Sequence, residues 1–254
     1  MLSAAEIRDF YELGSLLLPG LYDPRELESA RAAFGRLEER ARRLEGPAVV
    51  DGALFVVHRP PSGNFQIERI VWCGAVEAEL AELGRKRKLV TPVAELLGVP
   101  ELDHIINQAH LKRPGDGVEF HFHQDSYHRR YGTELFTDVN GRGSFVQALT
   151  ALDDMGPDNG GIWIVPRSNQ LGHIPTEDGR LPDGAFKPED ALPVELAAGD
   201  TLLLGPFTVH GSGPNRGLTP RRLFINGFCC PGANRRDYPG AGTGFRLRAL
   251  GDAA

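Results

Sequence analysis

The chain has 254 residues, 41% hydrophobic and 24% charged, which is the composition of an ordinary folded globular protein. A net charge of -6 excludes the basic balance of a nucleic-acid-binding domain. No apolar run reaches the roughly 18 residues that a membrane span requires, so neither a nucleic acid nor a membrane is an expected partner.

Ser3-Ala4-Ala5-Glu6 is a capping box, and Ile7, Phe10 and Tyr11 follow at helical spacing, so a short helix is expected to about Leu13. The same opening lacks the basic and apolar runs of a secretory signal. Gly14 stops the helix, and Ser15 to Leu18 reads as a short apolar strand. Asp23-Pro24-Arg25-Glu26 starts a second helix, with Leu27, Ala30, Phe34, Leu37 and Ala41 on its apolar face to about Leu44. Strands are expected over Ala53 to His58 and Phe65 to Trp72, around the turn Pro60-Pro61-Ser62-Gly63. A helix follows over Val76 to Leu83, and another opens at Thr91-Pro92 and ends at Gly98.

From about residue 101 short β-rich runs alternate with Gly, Pro and Asn turns. The expected strands are Ile105 to Lys112, Val118 to Asp125, Ser144 to Leu152, Gly161 to Pro166, Leu192 to Leu196, Thr201 to Leu204 and Leu223 to Cys229. Such a series predicts a β barrel or sandwich. The fold class is mainly β with N-terminal and flanking helices, a jelly roll in a single domain. The helical part covers about 1–100 and the barrel core about 101–230. Thr176 to Pro188 and the tail after Pro231 read as loops. Three cysteines, Cys73, Cys229 and Cys230, make no disulfide framework and fit buried reduced thiols in a cytoplasmic protein.

Within the barrel, Val118-Glu119-Phe120-His121-Phe122-His123-Gln124-Asp125 ends in a candidate metal site. A strand sends alternate side chains to one face, so His123 and Asp125 point together. Two imidazoles and one carboxylate with open positions form the facial triad of non-haem Fe(II) oxygenases. The third candidate ligand is His210, in Thr208-Val209-His210-Gly211-Ser212, after the apolar strand Thr201 to Leu204. For His58, His104, His110, His121, His128 and His173 an ordinary surface or core role is expected. Eleven residues after His210 stands Arg221, which opens a strand and offers a two-pronged fork to a carboxylate. Arg222 points the other way, toward solvent.

His123-Gln124-Asp125, His210-Gly211-Ser212-Gly213-Pro214-Asn215 and Arg221 together resemble the phytanoyl-CoA dioxygenase family. So do Lys112-Arg113-Pro114-Gly115, the run Asn159-Gly160-Gly161-Ile162-Trp163 with Leu171-Gly172-His173, and Phe10-Tyr11-Glu12-Leu13-Gly14. The resemblance covers roughly residues 3 to 230. It implies a double-stranded β-helix that uses Fe(II), 2-oxoglutarate and O2 to hydroxylate a small molecule, releasing succinate and CO2. It also implies His123, Asp125 and His210 as metal ligands and Arg221 as the seat of the co-substrate's far carboxylate. Gln108 occupies a place where the family often binds the co-substrate; a solvated strand face is the alternative. Ser212 and Asn215 either bond near His210 or shape its turn. His121, Trp163 and the run Tyr127-His128-Arg129-Arg130 are candidates for the pocket wall or a lid. Pro166-Arg167-Ser168-Asn169 departs from the family's Pro-Gly-Ser-His, and the carboxylate at Asp125 disfavours halogenation.

Two rival readings come with these residues. Gly115 followed by His121-x-His123 begins a cupin metal motif, but Ser126, Tyr127 and His128 stand where its Glu belongs, and Pro214 breaks the second motif. A cupin would ligate through His121 and the oxygenase through Asp125. A barrel that binds but does not react is the other. Neither the substrate nor the oligomeric state follows from these residues.

Overall fold

The computed structural model describes residues 1–61 and 63–249; Ser62 of the expected turn and residues 250–254 of the tail lie outside them. The N-terminal part holds α1 (Ala4–Leu13), β1 (Ser15–Leu18), α2 (Pro24–Ala41), β2 (Ala48–Val50), β3 (Ala53–His58), β4 (Gln66–Val71), α3 (Ala78–Leu83) and α4 (Arg87–Leu97). Then come β5 (Glu101–Lys112), β6 (Phe120–His123), α5 (Asp125–Arg129), β7 (Phe145–Ala151), β8 (Trp163–Ile164) and β9 (Leu192–Pro193). The chain closes with β10 (Thr201–Leu204), β11 (His210–Ser212), β12 (Arg221–Cys229) and β13 (Phe245–Arg248).

These strands form two facing antiparallel sheets, the expected jelly roll. The major sheet runs β1-β10-β7-β12-β5-β4-β3-β2, with β13 also on β5, and the minor sheet runs β6-β11-β8-β9. β1 to β4 therefore belong to the barrel wall, although they lie in the N-terminal part. Helix α2 buries Leu27, Phe34 and Leu37 in one core cluster with Phe55, Ile67 and Leu80. Each such side chain contributes roughly 1.5–3 kcal/mol of transfer free energy. The capping boxes form as expected: Ser3 Oγ accepts from Glu6 N at 3.2 Å, and Asp23 Oδ1 accepts from Glu26 N at 3.0 Å. The three cysteines are free and buried.

Gly14 ends α1 at φ +85°, where a side chain is strained, and a Cβ there would stand 2.5 Å from Thr208 Oγ1. The close approach has a use: Thr208 Oγ1 donates to Gly14 O at 2.6 Å, bolting the helix end to the segment that enters β11.

Several boundaries depart from the sequence reading. Helix α4 begins at Arg87 and carries Pro92 in its interior. The proline removes one backbone bond, but Leu89, Val90, Val93, Leu96 and Leu97 are all buried, and that burial outweighs the defect. Helix α2 stops at Ala41 rather than Leu44. The runs expected over Gly161 to Pro166 and Leu192 to Leu196 are strands only at β8 and β9. β2 was not expected, and the tail is not all loop, since Phe245 to Arg248 pair with Glu101 to His104. The expected strand Val118 to Asp125 is β6 alone, and Asp125 opens the unexpected α5.

Candidate active site

Two ligand candidates sit opposite each other in the minor sheet: His210 of β11 pairs with His123 of β6. Asp125 follows after Gln124, whose backbone is extended (φ -112°, ψ 139°), so the alternation that aims His123 inward also aims Asp125, although the latter begins a helix. Gln124 is the clamp that holds this corner. Its Nε2 donates to Gly172 O at 2.9 Å and Phe207 O at 2.7 Å, and its Oε1 accepts from Ile174 N at 2.8 Å. Ser126 adds a bond from its N–H to Pro206 O at 2.9 Å. On the other side Val209 N donates to Ser168 Oγ at 2.8 Å.

His123, Asp125 and His210 each offer one ligand atom, and these atoms lie within 4.8 Å of one another. The imidazole centroids are 4.4 Å apart, and His210 Nε2 is 3.9 Å from Asp125 Oδ2. Both rings are oriented through Nδ1: His123 Nδ1 donates to His121 O at 2.7 Å, and His210 Nδ1 to Thr208 O at 2.9 Å. That assigns the proton to Nδ1 and leaves each Nε2 lone pair free. Asp125 is 4% exposed and its Oδ2 has no hydrogen-bond partner, a costly state for a buried carboxylate. Burial, and then the neighbouring His210, push His123 down to about 3, so its ring is neutral and able to ligate. Two aromatic nitrogens and one orphaned carboxylate oxygen fit a divalent transition metal.

The major sheet supplies the opposite wall in three cross-strand rows. Gln108 faces Ile225, His110 faces Leu223 and Lys112 faces Arg221. The first two rows line a cavity of about 220 Å³ shared with the three ligand candidates and Ser212. Arg221 continues the same inward face and is 1% exposed. Its Nη2 donates to Gly160 O, while Nε and Nη1 have no partner. Burial pushes it down to about 10, which still leaves it a cation at neutral pH. A buried guanidinium with open donors fits a carboxylate. Lys112 Nζ donates to Ser212 Oγ and Gly213 O, each at 2.6 Å, tying the two sheets together. Burial, then Arg221, push Lys112 down to about 6. Gly160 (φ +76°) admits this arrangement, since a Cβ there would stand 2.9 Å from Lys112 Cδ. Asn215 shapes the turn after β11, donating to Lys112 O at 3.0 Å and Thr219 O at 2.8 Å.

Thus His123, Asp125, His210, Gln108 and Ser212 meet on one cavity, while Arg221 shares a face of β12 with Leu223 and Ile225 but does not itself line that cavity. His121 does not join them. One residue of β11, Gly211, faces two of β6, because His210 pairs with His123 and Ser212 with Phe120. This bulge breaks the alternation and turns His121 and Phe122 outward, to a second cavity that Trp163 also lines. Tyr127 is also off the main cavity, with its hydroxyl on Glu177 O at 3.2 Å. Arg222 pairs with Asp153 through Nε at 2.8 Å and Nη2 at 2.6 Å, rather than meeting solvent.

Sequence reasoning missed His110, Arg69 and Arg236, which line the cavity together with His128 and Arg129 of the run named as pocket wall or lid. Gln108 Oε1 accepts from His110 Nε2 at 3.1 Å, and the shared parity of Gln108 and His110 on one strand was a usable signal. Burial holds His110 well below its usual range and pushes His128 down to about 4. Arg69 and Arg236 come from segments with no motif around them.

The family model described as Phytanoyl-CoA dioxygenase (PhyH) matches residues 10–223. Dioxygenase cdmD of Talaromyces verruculosus is 28% identical over 125 residues, which is 48% of this chain and 38% of that protein's length. EvdO2 from Micromonospora carbonacea var. aurantiaca, solved with 2-oxoglutarate, shares the fold at TM-score 0.67 and 20% identity, over 94% of this chain and 95% of that one. The epimerase SnoN, solved with Fe3+, alpha ketoglutarate and nogalamycin RO, does so at TM-score 0.67 and 20% identity, over 98% and 95%. No helix among the described residues is long and apolar enough to cross a membrane.

Proposed function

The chain belongs to the phytanoyl-CoA dioxygenase family, and from that membership we propose an Fe(II)- and 2-oxoglutarate-dependent oxygenase that hydroxylates an unactivated C–H bond of a small molecule. The observation that carries this reading is the meeting of His123, Asp125 and His210, with both Nδ1 atoms already committed to backbone carbonyls. The Nε2 atoms and an Asp125 oxygen would hold the iron. With 2-oxoglutarate and O2 it would supply the oxidant: one oxygen atom passes to succinate, released with CO2, and the other to the product alcohol.

The chain's own residues do the rest. Arg221 would take the far carboxylate of the co-substrate through its open Nε and Nη1. Ser212 and Gln108, facing the same cavity, would orient it. Leu149, Leu223 and Ile225 exclude water from the reacting centre. The placement of His121 outside the cluster argues against a cupin-type centre.

The test is succinate release with Fe(II), ascorbate and 2-oxoglutarate across amino acids, phosphonates and acyl-CoAs, against an Asp125→Ala control. Substrate-dependent succinate with a product 16 mass units heavier (one oxygen atom, as a ~16 Da gain) is expected. Substrate-dependent succinate with a product of unchanged mass would replace hydroxylation by an epimerisation like that of SnoN. No succinate and no retained metal would leave a catalytically silent barrel.

A further inference from the structure

We propose that the substrate is a small molecule with an apolar body and an anionic oxyacid group, a carboxylate or a phosphate ester, seated by Arg69, Arg129 and Arg236. The proposal rests on the oxygenase reading, which assigns Asp125 to the metal and Arg221 to the co-substrate.

The three guanidinium groups come from β4, α5 and the segment after β12, yet they line one cavity. The chain as a whole carries -6, so this convergence is not a by-product of basic composition. Two of the three lack a counter-charge. Arg129 is 6% exposed; its Nη1 donates to Tyr238 Oη at 2.8 Å and its Nε has no partner. Arg236 donates through Nη1 to His128 O at 3.0 Å, again an uncharged acceptor. Neither forms an ion pair among the described residues. Arg69 pairs with Glu68, which it shares with His58.

Arg129 is the buried one of the three, with Arg236 half-buried; a buried guanidinium without an anion is costly, and a ligand anion would relieve that cost. The cavity's own groups do not. Asp125 is the carboxylate among the lining residues, and it stands at the metal cluster. His110 and His128, as imidazoles, supply no anion in either protonation state. The dicarboxylate expected against Arg221 approaches from the Lys112 row of the major sheet. Arg129 and Arg236 instead lie beside His128 and Tyr238, at the α5 side of the cavity. The same cavity is also lined by the apolar Leu54, Val71, Leu149 and Ile162. An anionic head on a hydrocarbon body matches that pattern.

The test uses the full chain loaded with nickel and 2-oxoglutarate, titrated calorimetrically with phenylacetate, phenyl phosphate and the neutral isostere phenylacetamide. At least one anion should bind about tenfold or more tightly than the amide, as loss of a charge-assisted bond implies. Arg69→Gln and Arg236→Gln should each weaken that anion about tenfold, with 2-oxoglutarate affinity within about twofold of the parent. Equal binding of anion and amide, or no binding of any probe at millimolar concentration, overturns the proposal. So do anions that displace 2-oxoglutarate, or variants that lose it, because the arginines would then serve the co-substrate. Failure of 2-oxoglutarate to bind the parent protein is a separate result, which removes the oxygenase reading itself.

Discussion

In the major sheet β7 has every residue buried, and β12 has every residue buried but Arg222, whereas the strands of the minor sheet are two to four residues long. The long strands hold their places by ladder bonds and apolar burial on both faces. The short ones are held by side chains that reach backbone: Gln124 to three loop positions, Ser168 to Val209, and Lys112 to Ser212 and Gly213. The two walls also differ in what they carry. The minor sheet and α5 bring the metal-ligand candidates, and the major sheet brings Gln108, His110 and Arg221. The proposed metal ligands and the proposed carboxylate seat at Arg221 therefore stand on separate supports and should fail separately.

The widest separation is expected from the ligands. Asp125→Ala or His210→Ala should take metal content and succinate release to background while the circular dichroism of the major sheet persists. Retained iron with parent-level succinate in either variant would show that the centre lies elsewhere. On the facing wall, Arg221→Met should raise the dissociation constant for 2-oxoglutarate about a hundredfold, the usual cost of removing one partner of a buried charge pair. Metal content, measured by elemental analysis, should not change. Gln124→Ala probes the clamp rather than the ligands. Metal affinity should fall roughly tenfold, as expected when the groups that orient ligands are lost. Parent-level affinity in a chelator competition would show that the loops hold β6 without it.

A further expectation, on stability rather than on binding, concerns the major sheet alone. His104, fully buried with Nε2 3.1 Å from Asn226 Oδ1 and stacked on Phe228, is pushed down to about 3, chiefly by burial. Its folded pKa is thus depressed below the unfolded value near 6.5. The unfolded chain takes up the proton first, so stability falls as pH drops from about 6.5 toward 3. At pH 4.5 the loss attributable to this group is about 3 kcal/mol. His104→Gln should flatten that part of the urea midpoint's pH dependence, and an unchanged slope would count against the buried neutral ring.

The same contrast explains what was legible in the sequence. Ladder-held strands announce themselves: β1, β3, β5, β7, β10 and β12 follow apolar runs bounded by turns, and the spacing of His123, Asp125, His210 and Arg221 is local enough to read. The staple-held parts do not. The outward turn of His121 depends on how β11 pairs with β6, which no single segment states. β13 is read only from its partner β5, and α5 is too short to show a period. Arg69, Arg129 and Arg236 belong together because three distant segments close on one cavity, so their grouping has no signature in any window of the chain.

The bulge in β6 lets Phe120 and His123, three residues apart, face the same cavity. The two intervening residues, His121 and Phe122, stand against the single Gly211 of β11 and both turn outward. A one-residue deletion there would remove the bulge and restore strict alternation, with Phe120 and the imidazole at 123 still on the same face. Variants that keep the His-x-Asp pair with one residue fewer in this interval are therefore expected to retain metal, which elemental analysis checks.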